Sequence, residues 1–280
     1  NMLKRSPSQY GEYESRVQAI IQNIKENGDE ALFSYTKQFD KADINASNVK
    51  VTDEEFEEAY KAVDPALLDV IRKALVNIES YHELQKQNSW FKSTPQGTML
   101  GQKVTPMETC GVYVPGGKAV YPSSVLMNIV PAHVAGVKNI IMTTPPGKDG
   151  KVTANTLVAA KEAGATKVYK VGGAQAIAAM AFGTESIPKV DKIVGPGNIF
   201  VALAKKAVYG NVSIDSIAGP SEILVLADET ANPRYVAADL LSQAEHDEMA
   251  SAILVTTSEE LAHKVSDEID GFLNQLSRKE

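Results

Sequence analysis

Residues 168–178 read Val-Tyr-Lys-Val-Gly-Gly-Ala-Gln-Ala-Ile-Ala. An apolar, β-rich run at Val168–Val171 breaks at Gly172-Gly173 and passes into an alanine-rich helical stretch. The same unit recurs on both sides. Upstream, Ile140–Thr144 reads as a strand ending at Pro145-Pro146, followed by a helix from about Thr153 to Ala163 that Gly164 closes. Downstream, Lys192-Ile193-Val194 leads through Gly195-Pro196-Gly197-Asn198 into a helix over Ile199–Val208. Repeated strand–turn–helix units predict a parallel sheet with crossover helices. The near-continuous apolar strands agree, since parallel strands are buried on both faces.

A shorter stretch of the same kind follows. Strands are expected at Ile223–Leu226 and Ala252–Val255, with a helix between them from about Pro233 to Glu245. Thr257 and Glu260 offer a capping box into a last helix. The first hundred residues read as helical instead. Val17, Ile20, Ile21 and Ile24 form one buried helix face, and Asn27-Gly28 stops that helix. Asp29 can cap the next, which carries Leu32, Tyr35 and Phe39. Thr52 and Glu55 form a second capping box, and Asp64-Pro65 opens a helix with Leu67, Leu68, Ile71, Leu75 and Ile78 as its stripe. The expected fold class is α/β, with two incomplete Rossmann-like parallel-sheet domains and an N-terminal helical segment.

Composition narrows the function. The 280 residues are 44% hydrophobic and 22% charged, with a net charge of −7 and a pI of about 5.3. An acidic chain without a basic run argues against nucleic acid as a partner. A single cysteine, Cys110, precludes an intrachain disulfide and fits a reducing, cytoplasmic setting. No apolar run reaches the roughly 18 residues of a membrane span, and Asn1–Tyr10 lacks a signal-peptide core.

Glycine-rich turns at the carboxyl ends of parallel strands leave helix N-termini open to ligands. Three such turns occur, at Gly116-Gly117, Gly172–Gln175 and Gly195–Asn198. They can cradle a phosphate or dinucleotide, with the Gln175 and Asn198 amides as donors, or can be tight turns that need glycine for their own geometry. No G-x-G-x-x-G follows a strand. At a helix end, Gln243 and His246 lie three residues apart on one face and can share a metal or ligand, while two ligands alone do not close a zinc site. His82, His133 and His263 are weaker candidates. Cys110 reads as a small buried hydrophobe; a reactive thiolate there would suit aldehyde oxidation.

Six motifs in order are more specific than spacing. They are Gly111-Val-Tyr-Val-Pro-Gly-Gly117, Val171-Gly-Gly-Ala-Gln-Ala-Ile-Ala178, Ala181-Phe-Gly-Thr-Glu185, Lys189-Val-Asp-Lys-Ile-Val-Gly-Pro-Gly-Asn198, Ala218-Gly-Pro-Ser-Glu222 and Leu240-Leu-Ser-Gln-Ala-Glu-His-Asp247. Over nearly its whole length the chain resembles the histidinol dehydrogenases. The resemblance implies a zinc- and NAD-dependent oxidation of L-histidinol to L-histidine through the aldehyde, by a cytoplasmic homodimer with one zinc per subunit. Tyr113, Gln175 and Asn198 match NAD-contacting positions. Ser221 matches a substrate-binding serine, and Gln243 and His246 match zinc ligands that also face the substrate. The family's catalytic Glu-His pair and its remaining ligands correspond to positions beyond Glu280, so these 280 residues are expected to be an inactive fragment. The alternatives are a thiol-dependent aldehyde dehydrogenase using Cys110 and a non-catalytic nucleotide-binding module. Because Ala218-Gly-Pro sits between the two α/β blocks, residues 110–217 are expected to form an inserted NAD-side domain, and 1–109 to pack with 218–280.

Overall fold

The computed structural model describes residues 11–116, 122–217, 221–245 and 250–276. Three helices come first: α1 (Gly11–Phe39), α2 (Asp53–Ala62) and α3 (Pro65–Glu83). An antiparallel pair, β1 (Trp90–Ser93) and β2 (Met99–Gln102), follows. Then comes the alternating region: β3 (Thr109–Tyr113), α4 (Pro122–Val134), β4 (Asn139–Thr144), α5 (Ala154–Ala163), β5 (Lys167–Lys170), α6 (Gly173–Phe182), β6 (Lys192–Val194), α7 (Ile199–Val208) and β7 (Ser213–Ile214). The chain continues with β8 (Glu222–Ala227), α8 (Pro233–Ala244), β9 (Ser251–Thr256) and α9 (Glu259–Leu273).

The predicted α/β class holds. Five parallel strands run in the order β5-β4-β3-β6-β7. The chain winds outward from β3 through β4 to β5, then returns to lay β6 on the other side of β3. That reversal makes β3/β6 the topological switch point, where open α/β sheets receive ligands. Successive side chains of one strand serve opposite faces. Ile140 and Met142 pack with α3, α4 and α5, whereas Ile141 packs with α1, α6 and α7. Gly111 keeps the second face close, because a Cβ there would fall 2.7 Å from the Met180 sulfur of α6.

The expected caps explain where the helices begin. The Thr52 hydroxyl accepts from Glu55 N–H while the Glu55 carboxylate accepts from Thr52 N–H, and Asp64 accepts from Ala66 N–H. The expected stop at Asn27-Gly28 is a kink inside α1, with Gly28 at φ 48°. Asp29 does not cap the second half of the helix. Its carboxylate accepts from Ser186 N–H at 3.2 Å, and its own N–H donates to Glu185 at 2.8 Å. The last helix is capped one residue later than expected, by Ser258 accepting from Leu261 N–H.

Two compact units result, Asn1–Ala218 and Gly219–Glu280. Within the first unit the apolar stripes of the N-terminal helices are buried on the helices that cover the five-stranded sheet: Val17, Ile20, Ile21 and Ile24 against the α6/α7 side, Ile71 against the α4/α5 side. In the second unit β8 and β9 pair in parallel, and α8 and α9 bury Val236, Ala237, Leu240, Leu261 and Val265. Among the described residues no helix is long and apolar enough to cross a membrane.

Candidate functional site

A cleft of about 860 Å3 opens at the carboxyl ends of the central strands. Such a volume falls in the range of small-molecule and cofactor sites. Its wall carries Tyr113 from the end of β3, Thr144-Pro145-Pro146 from the end of β4, Gly173–Gln175 from the first turn of α6, and Asn198 with Phe200 from the start of α7. Phe39 and Asp40, at the end of α1, and Lys148, Asp149 and Lys151, between β4 and α5, also line it.

Each group is set by a local device. Tyr113 is 3% exposed, and its hydroxyl accepts from Gly173 N–H at 3.1 Å, tying β3 to the N-terminus of α6. Burial pushes this phenol up to about 12, so it stays protonated at neutral pH. Gln175 is 1% exposed, yet neither Oε1 nor Nε2 of its amide has a partner. A buried amide left in this state costs free energy that a ligand can recover. Gly173 (φ 64°) makes the space for it, since a Cβ there would lie 2.6 Å from Gln175 Oε1. Asn198 is the N-cap of α7: its Oδ1 accepts from Phe200 and Val201 N–H at 3.1 and 3.2 Å, which leaves its NH2 group to donate elsewhere.

The turn that carries Asn198 is clamped by an ion pair whose lysine is buried. Gly195 N–H donates to Asp215 Oδ2 at 2.8 Å, Gly195 C=O accepts from Lys205 Nζ at 2.9 Å, and Lys205 pairs with Asp215. Gly195 has a φ of 116°, and a Cβ on it would lie 2.0 Å from the Tyr113 carbonyl oxygen. Close approach of the β3 and β6 ends therefore requires glycine here.

The cleft thus brings together Tyr113, Gln175 and Asn198, three positions far apart in sequence. Ser221 and Gln243 lie in the second unit, Ser221 exposed before β8 and Gln243 half-buried on the last turn of α8. His246, Gly117 and Ala218–Pro220 lie outside the described residues. Among the described residues no three His, Cys, Asp or Glu side chains gather as a metal site, and Gln243 is the neutral amide of the expected pair. The described residues therefore fit a dinucleotide but do not by themselves form a zinc shell.

The Cys110 thiol is 4% exposed on β3, and burial pushes it up to about 11. A thiol held protonated in the core is not a nucleophile, which removes the physical basis for thiol-dependent aldehyde oxidation. Sequence reasoning missed Phe39 and Asp40. Phe39 reads in the sequence only as an apolar residue of its helix; it is 49% exposed and lines the cleft. Asp40 offered one signal, an acidic residue at a helix C-terminus, where the dipole disfavours it.

Comparison with known proteins adds an independent line. A family model described as histidinol dehydrogenase matches residues 3–280. A protein of Halalkalibacterium halodurans named histidinol dehydrogenase is 58% identical over 267 residues, 95% of this chain and 62% of the relative. One of Bacillus subtilis with the same name is 58% identical over 279 residues, 99% of this chain and 65% of the relative. The crystal structure of histidinol dehydrogenase from Elizabethkingia anophelis matches with a TM-score of 0.89 at 44% identity, covering 95% of this chain and 61% of that one. The chain therefore spans somewhat under two-thirds of the length of these proteins.

Proposed function

The chain belongs to the histidinol dehydrogenase family, and from that premise we propose that its cleft is the NAD site of an enzyme that oxidises L-histidinol to L-histidine through L-histidinaldehyde. The balance is one histidinol, two NAD+ and one water giving histidinate, two NADH and three protons. The reading rests on one observation: Tyr113, Gln175 and Asn198, separated by up to 85 residues, line one cleft at the switch point of a parallel sheet.

NAD, when bound, supplies the hydride acceptor for each of the two oxidations. The chain's own part is binding and orientation. The Gln175 amide and the Asn198 NH2 donate hydrogen bonds, and the positive ends of α6 and α7 favour the charge of a pyrophosphate. Tyr113 holds the α6 N-terminus in register with β3. Sub-ångström positioning of this kind supplies much of the advantage of a bound over a free reactant. Ser221, Gln243 and His246 are assigned to the substrate, with Gln243 and His246 also to zinc, on the resemblance of their motifs. The family resemblance also carries the homodimer, the one zinc per subunit and the cytoplasmic setting.

Calorimetric titration with NAD+, with and without Zn2+, tests the reading. Saturable binding that Gln175→Ala weakens by about tenfold, one charge-free buried amide's worth, supports it. Absence of NAD+ binding refutes it. Metal analysis of Gln243→Ala and His246→Ala tests the zinc assignment: both are expected to retain less zinc than the parent protein.

A further inference from the structure

All eight residues of the β1–β2 hairpin are exposed. Cross-strand partners share a face, so the register puts Trp90 with Leu100 on one side and Phe91 with Met99 on the other. The arm is well formed all the same. Thr94 N–H donates to Thr98 O at 2.8 Å across a turn that holds Gly97 at φ 84°. Trp90 Nε1 donates to Gln102 Oε1 at 3.3 Å, and at the base Val104 N–H donates to Ser89 Oγ at 2.9 Å. A two-stranded sheet is marginal in water and gains stability when an apolar face packs on a further layer. Here both faces are apolar and each strand has a free edge. The exposed apolar residues begin before the arm, with Tyr81 on the last turn of α3 and Leu84 just after it, 63% and 87% exposed. Such a concentration marks a surface that another protein covers.

Charge identifies the partner. From Leu84 to Met107 the sequence holds three lysines and no acidic residue, in a chain whose net charge is −7. Lys86 pairs with Glu83 at 3.0 Å, and among the described residues no ion pair reaches Lys92 or Lys103. An apolar arm with unmatched positive charge is complementary to an acidic surface, and the remainder of this same chain is acidic. Two arms laid on each other would instead crowd their lysines with no carboxylate between them. We infer that the β1–β2 arm docks on a second copy of this chain, arm against the acidic remainder, with the contact made twice about a two-fold axis. The span from Tyr81 to Met107 matches the roughly 20–30 residues that each side of a stable interface contributes. The inference rests on the homodimer reading and gives that dimer its surface.

The test is sedimentation equilibrium of the protein and of its Phe91→Glu, Leu100→Glu and Lys92→Glu variants, with circular dichroism of each. The parent is expected to be a dimer. Phe91→Glu and Leu100→Glu, one on each face of the arm, should each weaken it at least tenfold. Lys92→Glu should weaken it more at about 50 mM than at about 500 mM salt, since screening removes the charge contribution. It also keeps the test standing if a charge on an apolar face disturbs the hairpin. Gln96→Cys, at the exposed tip and carrying a photo-activated cross-linker while the buried Cys110 stays unlabelled, reads what the arm touches. Cross-links outside the arm of the other copy support the inference. A dimer that none of the three variants weakens, or cross-links from arm to arm or from the arm to its own chain, would overturn the docking role and leave the dimer standing. A monomeric parent would overturn the dimer and the arm's role together.

Discussion

Lys205→Met is the most informative perturbation of the cleft, because it removes a charge without removing bulk. Lys205 is 2% exposed, pairs with Asp215 and donates to Gly195 C=O at 2.9 Å. Methionine keeps the apolar stem but leaves that carbonyl and the carboxylate without their cation. Losing one partner of a fully buried pair costs about 3–5 kcal/mol. Asp215 retains Gly195 and Ser216 N–H as donors and its side chain is 33% exposed, so water can rehydrate it. The cost is therefore set at the low end, about 3 kcal/mol, equivalent to about 6–12 °C in melting temperature for a unit of this size. Denaturant unfolding followed by circular dichroism reads it directly. Asp215→Asn should cost less, and the double variant should cost at least about 1 kcal/mol less than the two singles summed, as coupled partners do. A second expectation is functional: with the Gly195 turn released, Asn198 loses its position and NAD+ affinity falls. A loss below about 1 kcal/mol, or strict additivity of the two changes, would refute the clamp.

Three further outcomes are expected. Gly195→Ala puts a Cβ 2.0 Å from the Tyr113 carbonyl at a φ of 116°, and should cost about 3 kcal/mol or more by unfolding. The contribution of Asp40 to stability should fall as pH rises from about 4 to 6 and then level off. The folded state holds the Asp40 proton up to about 6 while the unfolded chain releases it near 3.8, so the folded form binds more protons in that window and this group's contribution declines across it. Asp40→Asn should flatten that slope, which unfolding free energies measured between pH 4 and 7 would reveal. Cys110, with its thiol pushed up to about 11, should resist alkylation in the native protein at pH 8 and react only on unfolding. Cys110→Ala should leave NAD+ binding intact.

How much of this was legible in the residues depended on range. The stripe at Val17, Ile20, Ile21 and Ile24, the Thr52/Glu55 capping box, the Asp64-Pro65 start and the Gly164 stop (φ 95°) all rest on interactions within four or five residues, and each appears where expected. The β1–β2 hairpin was not anticipated. Its strands are four residues each and wholly exposed, with Trp90 beside Phe91 and Met99 beside Leu100, so no alternation marks them. β7 is two residues long and exists through its pairing with β6. In β8 and β9 only one face is covered. Ile223 and Val225 pack against the helices, while Leu224, Leu226, Ile253 and Val255 face outward.

The candidate site divides the same way. Tyr113, Gln175 and Asn198 could be named from motif resemblance, and their turns from glycine and capping chemistry, because those are local properties of the chain. Their convergence could not. It follows from β6 returning beside β3, a crossover of dozens of residues that no window of sequence encodes. The orphaned amide of Gln175, the clamp of Lys205 and Asp215 on Gly195, and above all the unpaired carboxylate of Asp40 exist because burial removes water. Burial is decided by which distant segments arrive. By sequence Asp40 is an ordinary residue at the end of a helix, and it is burial of its Oδ2 in the folded chain that pushes its carboxyl up to about 6.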